Sequence, residues 1–172
     1  MNVPISTLDG VAGETRARAA AWGRRGFLIA LLVVVIAALA GYLGLQTRTV
    51  SANSGGYHLQ LEYPHIARPG MDTPWELTIT RPGGFDGPVD VQVTGSYFDI
   101  FESQGVTPAP TKETEDEHWW TMTFDKPAGD TLVIDFDIYV QPFSQVGSSG
   151  TARVLDGGHP AASVDFTTRL VP

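Results

Sequence analysis

Residues Phe27–Leu45 read FLIALLVVVIAALAGYLGL, nineteen positions without a charge. As a helix rising 1.5 Å per residue this run is roughly 28 Å long, close to the thickness of a bilayer core. Nothing on any of its faces is more polar than Tyr42 or glycine, which argues against a buried helix of a soluble protein. The run is therefore read as a transmembrane helix. Flanking charge gives its direction. Arg16, Arg18, Arg24 and Arg25 precede it, and only Arg48 follows closely. Basic residues stay on the cytoplasmic side, so residues 1–26 are expected as a cytoplasmic tail, and the chain beyond Leu45 lies outside the cytoplasm. The first fifteen residues, rich in small and polar types, read as a disordered end.

A cleavable export signal is the competing reading. Val50-Ser51-Ala52 has small residues where a signal peptidase cuts, so cleavage after Ala52 is the alternative. Arg24-Arg25-Gly26-Phe27-Leu28 resembles the twin-arginine export motif, although Gly23 and Ile29 depart from it. The apolar run also exceeds the stretch of about 7–15 residues usual in a signal. The uncleaved single-pass anchor is preferred, and both readings export the same domain.

Charge and cysteine content narrow what that domain does. The chain has 11 basic and 19 acidic residues; five Arg and two acids lie at or before Ala52, leaving six basic against 17 acidic beyond it. So acidic a domain repels phosphate backbones, and nucleic acid is excluded as a partner. The absence of cysteine excludes disulfides, thiolate metal sites, a blue-copper centre and a cysteine nucleophile.

Gln46–Gly56, short and polar, reads as a linker. Beyond it the period becomes two. Tyr57, Leu59, Leu61 and Tyr63 form one alternating set; Trp75, Leu77 and Ile79 a second; Val89, Val91 and Val93 a third. Trp120, Met122 and Phe124 follow, then Leu132, Ile134, Phe136, Ile138 and Val140, and finally Val164, Phe166, Thr168 and Leu170. Alternation of this kind marks strands buried on one face. Pro- and Gly-rich turns separate the sets, and Lys126–Asp130 is short enough for a hairpin. Thr151–Leu155 reads as a further short strand. Six or seven short strands without helical periodicity predict an all-β, antiparallel, immunoglobulin-like β-sandwich over residues 57–172.

The segment RPGMDTPWELTITRPGGFDGPVDVQV, a strand–PG turn–strand–glycine turn–strand order, resembles bacterial extracellular immunoglobulin-like modules. The resemblance spans Tyr57–Pro172 in pattern and implies an architecture rather than an activity. The Cys–Trp–Cys core of antibody domains is missing.

Gly95–His118 breaks the alternation and reads as a long connection, where a site would lie. Glu113, Glu115, Asp116, Glu117 and His118 offer oxygen and nitrogen ligands, but without cation-loop spacing or a bending glycine they read as a solvated charged loop. His58, His65, His118 and His159 lack the spacing of a zinc pair. No nucleophile elbow, zincin motif, P-loop or dinucleotide fingerprint occurs. Trp119 and Trp120 are adjacent on a strand and point to opposite faces. Trp120 shares parity with Met122 and Phe124 and goes inward, so Trp119 goes outward. With Tyr97, Phe98 and Phe101 it makes the candidate interaction surface.

The expectation is a membrane-anchored, extracytoplasmic, non-catalytic interaction or accessory module without cofactor or metal, partnering a larger membrane protein. A cell-wall or carbohydrate-binding module that stacks sugars on Trp119 is the first alternative. A hydrolase or metal-binding protein is the second.

Overall fold

A computed structural model describes residues 13–39 and 44–171, with side chains from residue 18 onward within those ranges. The chain divides into two compact units, residues 1–43 and 44–172. The first twelve residues of the expected tail, and residues 40–43 of the expected span, lie outside the described residues.

The first unit is one helix, α1 (Gly13–Leu39). It begins well before Phe27 because Thr15–Trp22 (TRARAAAW) is rich in alanine and arginine, both strong helix formers. From Arg18 to Leu39 it is long and apolar enough to cross a membrane. Phe27, Leu28, Ile29, Leu31, Leu32, Val33, Val34, Val35, Ile36 and Leu39 are all exposed within this unit. Trp22 lies at its basic end, 6.0 Å from the Arg25 guanidinium.

The second unit is a two-layer β-sandwich. One sheet contains β1 (Gln46–Ser54), β2 (Tyr57–Ala67), β3 (Asp72–Thr73), β4 (Glu76–Thr80), β6 (Phe101–Thr107) and β9 (Thr131–Val140). The other contains β5 (Val89–Thr94), β7 (Lys112–Glu115), β8 (Trp119–Phe124), β10 (Ser148–Asp156) and β11 (His159–Leu170). The first runs β1-β2-β4-β9-β6, with β3 beside β4 along β9. The second runs β11-β10-β5-β8-β7. All these pairings are antiparallel. β11 also meets β2 in parallel, Arg169 opposite Ile66 and Leu170 opposite Ala67, and joins the two sheets at one corner. β1 starts and β2, β9 and β11 finish at the same end, here termed the base. The turns at 55–56 and 157–158 mark the top.

Each expected alternating set forms a strand, except that Trp75 precedes β4, and its apolar members face the core, with Trp120 and Leu170 only partly buried there. Leu59, Leu61, Leu77, Ile79 and Ile134 from one sheet, and Val91, Val93, Met122 and Val154 from the other, have no exposed surface. Trp75 sits between the layers, its ring centroid 4.5 Å from Phe136, 5.6 Å from Phe98 and 5.8 Å from Phe166. Trp120 of β8 meets Phe136 of β9 across the core at 5.6 Å.

Four expectations are corrected. The supposed linker, residues 46–56, is strand β1 plus a turn: Gln46–Ser54 pairs along β2, and Val50 and Ala52 pack against the core. Gly55 and Gly56, at φ 57° and 80°, make the two-residue turn that their glycines favour in a hairpin. Leu45, assigned to the span, packs against the sandwich core. Lys126–Asp130 is no hairpin, because β8 and β9 belong to different sheets and the segment crosses between layers. The long connection 95–118 is largely regular. It contains a 3-10 helix, η1 (Gly95–Ile100), then β6 on one sheet and β7 on the other.

Candidate interaction surface

The aromatic cluster expected at the surface is a core plug. Tyr97 has no exposed surface and Phe101 is 4% exposed, while Phe98 is partly buried against the same core. Phe98 stacks on Phe136 with centroids 5.2 Å apart and planes 11° from parallel. Tyr97 lies edge-on to Phe166 at 4.6 Å. Gly150 of β10 makes room for it, since a Cβ there would stand 3.0 Å from the Tyr97 Cβ. The correction has a local cause: η1 coils the chain where an open loop was expected, and its aromatics turn under the base of the sandwich.

Tyr97 carries one polar atom into this core and satisfies it. Its hydroxyl lies 2.8 Å from Thr168 Oγ1. Thr168 gives its own proton to the Pro64 carbonyl, so Tyr97 is the donor in the first bond. The relay ties η1, β11 and β2 together. Burial pushes the Tyr97 phenol above its ordinary pKa.

Trp119 is on the outer face, as parity requires, but it is half-buried. Arg153, from β10, lays its guanidinium 3.5 Å from the indole centroid. The Arg153 Nε donates to Gln92 Oε1 at 2.8 Å, and Gln92 Nε2 donates to Thr121 Oγ1 at 2.9 Å. A strip across β10, β5 and β8 thus holds the cation over the ring. Desolvation pulls the Arg153 pKa down, opposed by the Asp116 charge. Asp116 accepts the backbone N–H groups of His118 and Trp119, each at 2.8 Å, and these bonds hold its carboxyl below the usual range. The indole of Trp120 packs on the core while its Nε1–H reaches Glu113 at 3.3 Å.

The remaining candidates are dispersed. His58 pairs with Asn53 at 2.6 Å, and His65 contacts the Thr167 carbonyl at 3.3 Å. Glu113, Glu115, Asp116, Glu117, His118 and His159 are exposed. Among the described residues no group of three or more histidines and carboxylates is arranged to hold a metal.

The most exposed apolar side chains of the domain lie elsewhere, on a segment that local pattern did not single out. The β9–β10 loop, Gln141–Gly147, carries Phe143 at 91% exposure and Val146 at 78%, far above any other large apolar side chain of the described domain. The loop is held firmly. The Gln141 N–H donates to the Ile100 carbonyl, Gln141 Nε2 to the Phe101 carbonyl, and the Ser144 N–H to the Gln141 carbonyl. Pro142 and Phe143 occupy the tip of the resulting turn. The signal was visible in QPFSQVG, where a proline turn between two strands carries two large apolar residues, Phe143 and Val146.

No family model matches the chain, and no curated protein matches it. Ten solved chains match. Among them is a non-cellulosomal cohesin from the hyperthermophilic archaeon Archaeoglobus fulgidus, 14% identical, covering 74% of this chain and 92% of that chain with a TM-score of 0.39. A likeness at that score carries no argument about function.

Proposed function

We propose that this protein is a single-pass membrane protein whose β-sandwich, held outside the cytoplasm, is a non-catalytic interaction module. The observation that carries the reading is the junction of its two parts. An apolar helix with no buried side leads, within six residues, into a strand that is integral to the sandwich. Cleavage after Ala52 would remove Gln46–Ala52, most of β1, and strip the cross-strand partners of Leu59 to Ile66. The unpaired β2 edge would then lie open to other chains. A retained helix avoids this. Trp22 beside Arg24 and Arg25 suits an interfacial anchor on the cytoplasmic side.

The non-catalytic part rests on where the reactive side chains are engaged. Tyr97 is committed to Thr168, Tyr139 to Glu102 and Thr151 to Asp165. The carbohydrate reading loses ground because Arg153 occupies one face of Trp119, and the aromatics meant to complete the platform are buried.

Fractionation of cells expressing the intact chain tests the anchor. The protein should resist alkaline carbonate extraction and retain the full mass of 18.5 kDa. A soluble product beginning at Asn53 would overturn it. Detergent co-purification after crosslinking tests the interaction role, with one stoichiometric membrane protein as the expected result.

A further inference from the structure

We infer that the β9–β10 loop is a lipid-docking tip, seating the base of the sandwich on the bilayer surface through Phe143 and Val146. This rests on the proposed membrane span. The two side chains are the most exposed large apolar groups of the described domain, and they share one loop. That loop is fixed in place: Ser144 Oγ donates to the Ile100 carbonyl at 3.3 Å, alongside the Gln141 bonds at its root. Apolar groups held out on a pinned turn are ready for an apolar medium and lose little freedom on entering it.

The choice of lipid as the occupant follows from position and charge. β1 starts at the base, where Gln46 lies opposite Ile66 and Leu170 lies opposite Ala67. The loop belongs to this same corner, since Gln145 lines a groove of about 400 Å³ with Pro69, Leu170 and Val171. Only residues 40–45 separate α1 from β1, and six residues reach at most about 20 Å in any conformation. A connection this short limits how far the start of β1 can stand from the end of α1. Arg68 and Arg169 are the chain neighbours of Pro69 and Leu170 in that groove; Arg169 is exposed, Arg68 is half-buried, and neither forms an ion pair among the described residues. In a domain this acidic, an exposed arginine without an ion-pair partner at this corner suits lipid phosphates. The acidic turn Glu115–Glu117 is at the base too, but under the other sheet, next to Trp119. A domain leaning on its arginine-bearing corner lifts that turn away from anionic headgroups.

The chain has no cysteine, so single labels are clean. Three variants of the full chain, Gln145→Cys, His159→Cys at the top and Val35→Cys in the helix, would carry an environment-sensitive fluorophore. Each is reconstituted in vesicles of phosphatidylcholine with a minor share of phosphatidylglycerol, with or without acyl-chain bromination. Brominated lipid should quench the Gln145 and Val35 labels by roughly half or more, consistent with insertion of about 5–10 Å at the loop, and leave His159 unaffected. Adding Phe143→Ser and Val146→Ser should abolish quenching at Gln145 and spare Val35. Quenching at Val35 without quenching at Gln145 overturns the docking and leaves the span standing. A blue-shifted but unquenched Gln145 label means that protein, such as a second copy, covers the loop, and overturns it too. Quenching that survives the double substitution shows tethering alone and likewise overturns the docking. No quenching at Val35 removes the span and the docking together.

Discussion

Tyr97 shows where local pattern misleads and why. An aromatic at the start of a long non-alternating segment reads as surface, yet its ring completes the core and its hydroxyl is satisfied by Thr168, 71 residues away. Removing that hydroxyl tests the relay. Tyr97→Phe should cost about 1 kcal/mol, the worth of one buried neutral hydrogen bond, in urea-induced unfolding. The pH dependence has a definite sign. Because the folded-state phenol titrates above its ordinary value, its neutral form is favoured by folding. The contribution is whole below about pH 10 and is lost as pH rises further. The native protein should therefore lose stability more steeply above that pH than Tyr97→Phe, as read by alkaline thermal melts. Parity alone places Trp119 on the correct face. Its cover comes from Arg153 on a strand 34 positions on, a pairing that no local pattern encodes.

Among the strands, β1 repays the closest comparison. Its run TRTVSAN is small and polar, and its two glycines suit a flexible tether as well as a hairpin turn. Pairing with β2 resolves the ambiguity, because only a partner strand satisfies its backbone groups and covers Val50 and Ala52. The turn provides a sharp test. At Gly55 a Cβ would stand 2.9 Å from the Ala161 carbonyl oxygen, whereas at Gly56 it would meet open space. Both adopt positive φ, so Gly56→Ala should cost about 1–2 kcal/mol for the left-handed backbone. Gly55→Ala should cost measurably more in the same unfolding assay. Equal losses would mean that the turn does not bear on β11. The segment 95–118 is the complementary case. It crosses from one sheet edge to the other, so its two strands are each short, and β7 is exposed at all four residues. Charged residues along such an edge discourage pairing with other chains, and this explains an acidic run that resembles a ligand set.

Across the full chain, basic residues gather before the apolar run and acidic ones after Ala52. The proposed orientation, with the N-terminus inside, rests on this asymmetry. Labelling with a membrane-impermeant maleimide on intact cells checks this. A cysteine at His159 should react, and one at Ser6 should react only after lysis. The reverse pattern would put the sandwich in the cytoplasm and remove both the proposed role and the docking loop.

The alternating strands β2, β4, β5, β8, β9 and β11 and their inward faces were legible in the order of residues, because alternation of apolar and polar side chains is a property of each strand alone. So was the apolar helix, whose length and lack of charge need no partner to be read. The rest was settled by the assembled fold. Whether β1 is tether or strand, whether Lys126–Asp130 turns back or crosses over, and whether Tyr97 is buried all depend on which distant segment lies alongside. Phe143 is the inverse case: its residue type suggests burial, and only the completed sandwich leaves it with nothing to pack against. Local pattern records what each segment prefers, and contacts between segments far apart in the chain decide which preferences are met.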